Sequence, residues 1–423
     1  MRNFVINSVL ILISTVLGLY LLEVYLAYEE WEIELGTTSR IERAAKAAGA
    51  DWDDRTKVEV IRDLRKEGKD AFPAMAPSVF VDDNGIPYHD GRLFVFGGIS
   101  RATTVFCNEM GQWSIYTSDE HGFNNEPGLY RPDKLDVALV GDSFTHGACL
   151  PPRKDIASLL RKDGWRTLNL GIGGTGPLIY LAVQREYAKP LRPKHVFWLF
   201  YAVDIRDSVY EKVSPTLMRY LKDPAFSEGL IDRQPEIDAF LREFLNTGYQ
   251  KKLDELTAAR QVRREIITKR LIRQGLKLTK LRDRLSHFGG RTLVTEGREG
   301  EKLALLKRIL TRAKEEVEAW GGKFVFVYLP DWYTYGAKYD TYGIPIDENF
   351  LLRQDVLRLV KRLGVPTVDV QARVFDQHPD PVSLYNFRTY GHYTPEGYRL
   401  VEKEIARFLK SEDTGGSDRK PEK

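Results

Sequence analysis

Residues 136–147 read DVALVGDSFTHG. The first five are mostly apolar, which is typical of a short strand buried on both faces of a parallel sheet. Gly141 and Asp142 end this strand, so the hydroxyl of Ser143 is predicted to lie at the carboxyl edge of the sheet. Sites form along that edge in open α/β folds. A serine hydroxyl is a weak nucleophile until a base takes its proton, so Ser143 requires a base from elsewhere in the chain.

The alternation of strand and helix continues toward the C-terminus. Further strands are predicted at TLNLG (167–171), HVFWLFY (195–201), KFVFVYLP (323–330) and PTVDV (366–370), with helical stretches between them. Strands that alternate with helices form a parallel sheet covered on both faces. The sequence therefore predicts an α/β fold, a parallel β-sheet flanked by helices.

The candidate base lies near the C-terminus, in the stretch GHYTPEGYRL. His392 follows a glycine and precedes a predicted helix, so we expect it to face the same sheet edge as Ser143. Histidine is the most frequent general base in enzymes. His146, three residues beyond Ser143, is a rival that we expect to shape the pocket instead. The remaining histidines lack such a context and are expected to be structural or on the surface: His89, His121, His195, His287 and His378.

A glycine-rich turn, NLGIGGTG, begins at Asn169. Such a turn lets backbone N–H groups approach a developing oxyanion. Gly171, Gly173 and Gly176 also have the G-x-G-x-x-G spacing of a dinucleotide site. That motif belongs to the first strand of its unit, whereas this turn follows the second. We favour the oxyanion interpretation, which implies no cofactor, and no stretch of the sequence has the spacing of a metal site.

These stretches together resemble the SGNH/GDSL hydrolase family, in particular its membrane-anchored bacterial members associated with envelope polysaccharides. The resemblance covers about residues 135–201 and 301–409, and more loosely the upstream stretch CNEMGQWSIYTSDEHGFNN, residues 107–125. It implies the SGNH hydrolase fold, with three flavodoxin-like layers, and acyl-ester chemistry at a serine.

The resemblance also implies roles for individual residues. Ser143 matches the nucleophile, and its backbone N–H matches one oxyanion donor. Gly174 matches the second donor, and His392 matches the base. Residues of the same blocks, or close to them, are accessory candidates: Asp142, Asn169, Asp204 and His146.

Two departures from the family pattern concern the chemistry. Val203 stands where the family has an asparagine that completes the oxyanion hole. Tyr390 and its neighbour Thr389 stand where an aspartate usually orients the histidine. The serine and histidine then form either a dyad oriented by a backbone carbonyl or a triad completed by Asp380 or Asp376.

The N-terminal segment predicts a membrane anchor. Residues 3–22 contain no charged side chain, and about 20 apolar residues span a bilayer as a helix. Arg2 precedes this stretch and Glu23 follows it, so the positive-inside rule places the N-terminus in the cytoplasm. We therefore expect a single-pass protein of the bacterial inner membrane whose main domain is periplasmic. Cys107 and Cys149 would then lie in an oxidising space, either bridged or as two buried thiols.

The remaining chain divides by its composition. The expected units are a transmembrane signal anchor (1–27), a juxtamembrane helical stalk with a small β-rich segment (28–130), the two parts of the SGNH domain (131–206 and 300–411), a helical insertion (207–299) and a disordered tail (412–423). The insertion includes a basic helical stretch that either contacts anionic lipid or glycan or presents only a solvated face.

Composition and charge limit the function. With 63 Lys and Arg against 60 Asp and Glu, the formal net charge of +3 argues against nucleic acid as a partner. The leading hypothesis is a serine esterase or acyl-transfer enzyme that acts, through Ser143 and His392, on acyl esters of envelope carbohydrate, O-acetyl esters first among them. The alternative is a catalytically weak or inactive carbohydrate-binding or assembly protein in polysaccharide biosynthesis.

Overall fold

The computed structural model describes residues 2–35, 37–89, 91–132, 134–202, 204–245, 278, 296–336 and 348–415. The strands in this part of the chain are Ala71–Pro73 (β1), Ile86–Tyr88 (β2), Gly91–Leu93 (β3), Thr103–Val105 (β4), Ile115–Thr117 (β5), Val137–Gly141 (β6), Thr167–Gly171 (β7), His195–Tyr201 (β8), Lys323–Leu329 (β9) and Thr367–Asp369 (β10).

The helices in the same ranges are Arg2–Leu35 (α1), Thr37–Ala47 (α2), Lys57–Lys66 (α3), Ser143–His146 (α4), Ile156–Lys162 (α5), Pro177–Val183 (α6), Asp204–Glu211 (α7), Pro215–Lys222 (α8), 234–245 (α9), Glu296–Ala319 (α10), Tyr333–Gly336 (α11), Glu348–Arg362 (α12) and Pro395–Gly415 (α13).

The central sheet has the strand order β10-β9-β8-β6-β7, and all of its pairings are parallel. Its strands are apolar along their length because helices cover both faces. Side chains of β8 alternate between two core clusters, with Val196, Trp198 and Phe200 on one face and Phe197, Leu199 and Tyr201 on the other. The first cluster includes α6 and α10, and the second includes α5 and α13. The predicted α/β fold with its three layers is confirmed.

The strand order places Ser143 at the topological switch point, where the chain stops adding strands on one side of β6 and continues on the other side. The chain passes from β6 to its neighbour β7 and then crosses to β8 on the other side of β6. Crevices open at such a reversal, outside the carboxyl ends of the two strands that flank it. Ser143 directly follows β6 and Asp204 lies just beyond β8, so both stand at this crevice.

A second, smaller sheet precedes the central one in sequence. Strand β4 pairs in parallel with β1 and antiparallel with β5. The apolar face of α3 packs on this sheet, and the buried residues of the contact are Val60, Ile61, Leu64, Ala71 and Val105. In α2, Ile41 and Ala45 are buried. Within the segment predicted as a juxtamembrane helical stalk, both helices therefore bury apolar side chains.

The N-terminal helix α1 contains an apolar window, Ile6–Glu23, that is long and apolar enough to cross a membrane. Signal sequences near an N-terminus pass the same test.

The predicted insertion begins with α7, α8 and α9, which are buried on one side through residues such as Leu217 and Leu241. Apart from Leu278, its basic helical stretch lies outside the described residues, as does Val203. At the C-terminus, α13 continues to Gly415, beyond the predicted start of the disordered tail at residue 412. Residues 416–423 lie outside the described part.

Candidate active site

Ser143 begins α4 immediately after β6. The carboxylate of Asp142 caps this short helix by accepting a hydrogen bond from the Phe144 backbone N–H at 2.8 Å. A Cβ at Gly141 would lie 2.0 Å from Thr145 Oγ1, so only glycine fits between the end of the strand and α4. The sharp turn leaves Ser143 partly accessible beside fully buried neighbours.

His392 lies in the loop before α13, and its Nε2 is 2.8 Å from Ser143 Oγ. The loop is held at both sides of the histidine. Residues Tyr385 and Tyr393 form an isolated β-bridge, and the Tyr393 hydroxyl donates to the carbonyl oxygen of Pro330 at 2.6 Å. The two residues predicted as nucleophile and base, 249 positions apart, are therefore in hydrogen-bond contact.

Glu109 is the acid that faces the other side of His392. Its Oε1 is 3.0 Å from His392 Nδ1, and its Oε2 accepts the His392 backbone N–H at 2.8 Å. One carboxylate thus fixes both the ring and the backbone of the histidine. Ser143, His392 and Glu109 form a continuous chain of hydrogen bonds with the geometry of a catalytic triad.

The predicted third members were wrong. Asp380 pairs with the Arg388 guanidinium through bonds of 2.6 and 3.0 Å. Asp376 accepts the hydroxyl of Tyr335. A dyad oriented by a backbone carbonyl is not observed either, because His392 Nδ1 faces a carboxylate. The family pattern has the acid just before the histidine, whereas the carboxylate that faces His392 here comes from the loop between β4 and β5, ahead of Ser143 in the sequence.

The charges of Glu109 and His392 shift each other's pKa. Burial acts to lower the pKa of His392, but the Glu109 carboxylate outweighs it through charge and hydrogen bonding, so the pKa is raised from 6.5. Burial acts to raise the pKa of Glu109, and the charge and hydrogen bonds of His392 outweigh it, so that pKa falls below 4.5. The pair therefore favours the imidazolium form, which arises when His392 takes the proton of Ser143.

His146 does not contact the Ser143 hydroxyl. Its Nε2 is 2.9 Å from the hydroxyl oxygen of Tyr116, and its ring lies against Phe106. Burial lowers the pKa of His146 to about 3, so the ring stays neutral. These contacts agree with the expectation that His146 shapes the pocket.

The side chain of Asn169 holds the start of the glycine-rich turn. Its side-chain oxygen accepts the Gly171 backbone N–H at 2.9 Å. The side chain of Asn125 pairs with the backbone of Asn169, accepting from its N–H and donating to its carbonyl at 2.8 Å each. This arrangement makes Asn169 a structural residue of the turn and attaches the upstream loop to β7.

Gly174 adopts a left-handed conformation, φ +70°, which glycine tolerates without strain. It lines a cavity of about 290 Å³ together with Ser78, Asp207 and Tyr210. A small space thus lies beside the predicted oxyanion donor.

The start of α6 is occupied by a carboxyl group. Glu211 accepts hydrogen bonds from the backbone N–H groups of Gly176 at 2.5 Å and of Leu178 at 2.9 Å. Burial raises the pKa of Glu211 to about 8 against the lowering effect of these N–H groups. Because the pyrophosphate of a dinucleotide would need the same donors, the turn does not fit the nucleotide alternative.

Asp142, which directly precedes Ser143, and Asp204 are buried carboxyl groups. Asp204 accepts from the Tyr180 hydroxyl and from the Tyr201 backbone N–H, both at 2.8 Å. Burial and the nearby charge of Asp142 raise the pKa of Asp204 well above 3.8. Burial likewise raises the pKa of Asp142 to about 7. Asp204 thus fixes the end of β8, and the position before it, Val203, is not described.

Cys107 and Cys149 form a disulfide, with Cα atoms 5.0 Å apart. The bond lies at the site, since Cys149 Sγ is 4.0 Å from His392 Nδ1. Glu109, Cys149 and His392 present potential metal ligands within 4.8 Å of one another. Because Cys149 Sγ is bonded to Cys107, it offers no thiolate to a metal.

Sequence reasoning missed Glu109. The residue carries no motif of its own, and it is 34 positions before Ser143. One signal was present: Glu109 lies two residues after Cys107, and a bridge between Cys107 and Cys149, one of the two predicted alternatives, brings it to the loop that follows α4. That bridge was left open from the sequence.

Comparisons with known proteins give weak similarities. No model of a known protein family matches the chain, and no curated protein matches it. Among solved structures, it is similar to an alpha/beta hydrolase enzyme from the metagenome of Lake Arreo, Spain, at 13% identity over 66% of this chain and 97% of that one, with a TM-score of 0.33.

Two further solved structures are similar to the same extent. A putative acylhydrolase from Bacteroides fragilis shares 14% identity over 67% of this chain and 91% of its own, with a TM-score of 0.33. An acetylxylan esterase from Geobacillus stearothermophilus shares 12% over 66% and 95%, with a TM-score of 0.34. Similarities of this size carry no argument about activity or substrate. Any proposal about function therefore rests on the geometry of the site.

Proposed function

We propose that the chain is a serine esterase or acyl-transfer enzyme of the SGNH type, with Ser143 as nucleophile, His392 as general base and Glu109 as the orienting acid. The observation that carries the proposal is the contact of 2.8 Å between His392 Nε2 and Ser143 Oγ, with Glu109 Oε1 3.0 Å behind Nδ1. A general base has to lie within about 2.6–3.2 Å of the proton that it removes.

The reaction follows from these contacts. His392 Nε2 takes the hydroxyl proton while Ser143 Oγ bonds to the carbonyl carbon of the ester, and Glu109 stabilises the imidazolium. The imidazolium then protonates the departing alcohol oxygen, which leaves an acyl group on Ser143. A water molecule or a sugar hydroxyl, deprotonated by the same imidazole, then attacks this acyl-enzyme. The bond between the acyl carbon and Ser143 Oγ breaks, the imidazolium returns its proton to Oγ, and the acid or the transferred ester is released.

The oxyanion of each tetrahedral intermediate is held by backbone N–H groups of Ser143 and Gly174 in this proposal. With Val203 in place of the asparagine of the family, one side-chain donor is missing. Removal of one such donor costs about 2.7–4 kcal/mol of transition-state stabilisation in a serine protease. We therefore expect a working enzyme of modest rate.

The proposed substrates are acyl esters of envelope carbohydrate, O-acetyl esters first among them. The proposed location is the periplasmic side of the inner membrane, with α1 as the anchor. The Cys107–Cys149 disulfide supports an oxidising compartment, since such bonds are rare in the cytosol. Protease added to spheroplasts tests the topology: loss of the main domain supports it, and protection until lysis contradicts it.

Burst kinetics test the chemistry. The full chain in detergent is mixed with p-nitrophenyl acetate, beside Ser143→Ala and the control Ser411→Ala, an exposed serine near the end of α13. We expect one equivalent of p-nitrophenol in the burst from wild type and from the control, and none from Ser143→Ala. Equal release by wild type and Ser143→Ala contradicts the proposal.

Acetylated xylo-oligosaccharides and an added sugar acceptor then separate hydrolysis from transfer. Free acetate indicates an esterase, and an acetylated acceptor indicates a transferase. If wild type turns over neither p-nitrophenyl acetate nor the acetylated xylo-oligosaccharides, a non-catalytic carbohydrate-binding protein becomes the better account. The contact between Glu109 and His392 speaks against that alternative, because it supplies the acid whose expected position is filled by Thr389 and Tyr390.

A further inference from the structure

The disulfide joins the two loops on which the site depends. Cys107 lies two residues before Glu109, and Cys149 lies six residues after Ser143. The bond therefore connects the loop that carries the acid directly to the chain that leaves the nucleophile helix α4. Its sulfur at Cys149 is 4.0 Å from His392 Nδ1, the atom that Glu109 faces.

Besides the disulfide, the loop that carries Glu109 contacts the central part of the protein through Met110, which packs against the core of the sheet, and through the ring of Phe106, which lies against His146. It connects β4 and β5, each of three residues in the small sheet. Two backbone hydrogen bonds join the ends of this loop. The Ser114 N–H donates to the Cys107 carbonyl at 2.8 Å, and the Phe106 N–H donates to the Ser114 carbonyl at 2.9 Å. One side-chain bond reaches the segment that follows α4, from Ser114 Oγ to the Leu150 carbonyl at 2.8 Å. The disulfide is the covalent link between the two parts.

The other end of the link is held in an unfavourable conformation. Cys149 has φ +60°, a left-handed backbone that residues with a Cβ rarely adopt. Such a conformation persists where the surroundings impose it. Release of the bond would allow the chain at Cys149 to relax, and Cys107 with Glu109 would no longer be tied to it.

We propose that the Cys107–Cys149 disulfide is a positioning element of the active site, which holds Glu109 against His392 so that full turnover requires the oxidised protein. The inference rests on the proposed function for its effect on turnover, but its effect on His392 can be measured without any substrate. An enzyme built in this way reaches full activity only in a compartment where disulfides form.

The charged groups around His392 determine what the loss of Glu109 would do. Glu109 faces the ring from the loop between β4 and β5, Asp142 from the end of β6 and His146 from α4. His146 is neutral, and the charge of Asp142 is partial at neutral pH because its pKa is raised to about 7. Displacement of Glu109 therefore lowers the pKa of His392.

Reduction breaks the link under defined chemistry. The S–S bond takes up two electrons and two protons from dithiothreitol, which closes to its cyclic disulfide, and two thiols remain. The experiment uses the full chain in detergent in five forms. Three are the oxidised protein, the protein reduced and capped with iodoacetamide, and Cys107→Ser/Cys149→Ser. The other two are Glu109→Gln with and without reduction. Mass spectrometry verifies the state of both cysteines.

The first readout is the titration of His392 by NMR with labelled histidine, assigned with His392→Gln. We expect the pKa of His392 to fall on reduction and in the double variant. The second readout is turnover: we expect kcat to fall about 10- to 100-fold with KM nearly unchanged, since small misplacements of a catalytic group have effects of that size. The acid limb of the pH–rate profile should move to lower pH, and Glu109→Gln should not respond to reduction.

Three results would overturn the inference. The first is an unchanged His392 titration in the reduced protein. The second is a loss of turnover without a change in that titration, which would assign the bond a merely structural role. The third is loss of the near-ultraviolet circular dichroism on reduction, because the inference requires an intact fold. Failure of the proposed function is distinguishable from failure of this inference. In that case the oxidised protein lacks a burst, while the His392 titration still shows whether the disulfide holds Glu109 against His392.

Discussion

The central sheet and the small upstream sheet contribute to the same site in different ways. The central sheet supplies Ser143 directly from the end of β6 and, through the loop before α13, His392. The small sheet supplies Glu109 from a loop between two strands of three residues. The first two residues follow elements with a large buried core, whereas Glu109 is held by a disulfide, by hydrogen bonds and by the packing of its neighbour Met110 on that core.

The central sheet therefore determines where the Ser143 hydroxyl lies, whereas the small sheet determines how the Glu109 carboxylate orients His392. A serine at the end of a buried strand is exposed by the fold itself, whereas the acid has to be brought from another part of the chain. The attachments between the two regions therefore decide how well the histidine is oriented. The attachments include the disulfide, the carboxylate of Glu109, the hydroxyl of Ser114 and the side chain of Asn125.

The largest expected effect comes from Glu109→Gln. The amide keeps the shape but cannot stabilise the imidazolium, and the matching change in a serine protease lowers kcat about 10⁴-fold. We expect a loss of about 10³-fold in kcat here, measured with p-nitrophenyl acetate. Glu126→Gln, an exposed glutamate of the same region that pairs with Arg153, serves as the control. A loss below about tenfold in Glu109→Gln would remove the acid role.

Asn125→Ala tests the attachment of the upstream loop to β7. The change leaves the backbone N–H and carbonyl of Asn169 without their partner inside the protein. Unpaired buried polar groups cost about 1–3 kcal/mol each, so for the two groups we expect the free energy of unfolding to fall by about 2–6 kcal/mol in urea denaturation. Asn124→Ala removes only one bond, to the His146 carbonyl, and should cost less. Equal stability of Asn125→Ala and wild type would show that the loop is held by other contacts.

The ion pair predicts how stability depends on pH. The pKa of Glu109 is lowered on folding, so its contribution is present above its ordinary value of 4.5 and is lost as pH falls through the folded value. The pKa of His392 is raised, so its contribution is present below 6.5 and is lost as pH rises through the folded value.

The difference in Tm between wild type and Glu109→Gln should therefore be largest between about pH 4.5 and 6.5. Thermal unfolding across pH 3–9 measures it. A difference that keeps growing above pH 8 would contradict the assigned pair.

The smallest effect is expected from Asp380→Asn. Asp380 and Arg388 form an exposed pair, and such pairs contribute little to stability. We expect kcat/KM within twofold of wild type and an unchanged Tm. A loss comparable with that of Glu109→Gln would return Asp380 to the site.

The fold and two residues of the site followed from local patterns. The strand that precedes Ser143 is apolar throughout and buried on both faces, so its sequence alone marks it. His392 stands in a glycine-containing loop before an amphipathic helix, which is also a local signal. Glu109 has no such signal, because its role arises from a contact between segments 283 positions apart. The role of Asn125 in attaching the upstream loop to β7 could not be predicted for the same reason.

The acyl-enzyme itself provides the most direct test of the central claim. Wild type, Ser143→Ala and Glu109→Gln are mixed with p-nitrophenyl acetate, quenched in acid within the burst, digested and mapped by mass spectrometry. The account predicts an acetyl group on the peptide that carries Ser143 in wild type, slower accumulation in Glu109→Gln and none in Ser143→Ala. An acetyl group found instead on Lys57, whose pKa burial lowers to about 8, or no adduct in wild type, would contradict it.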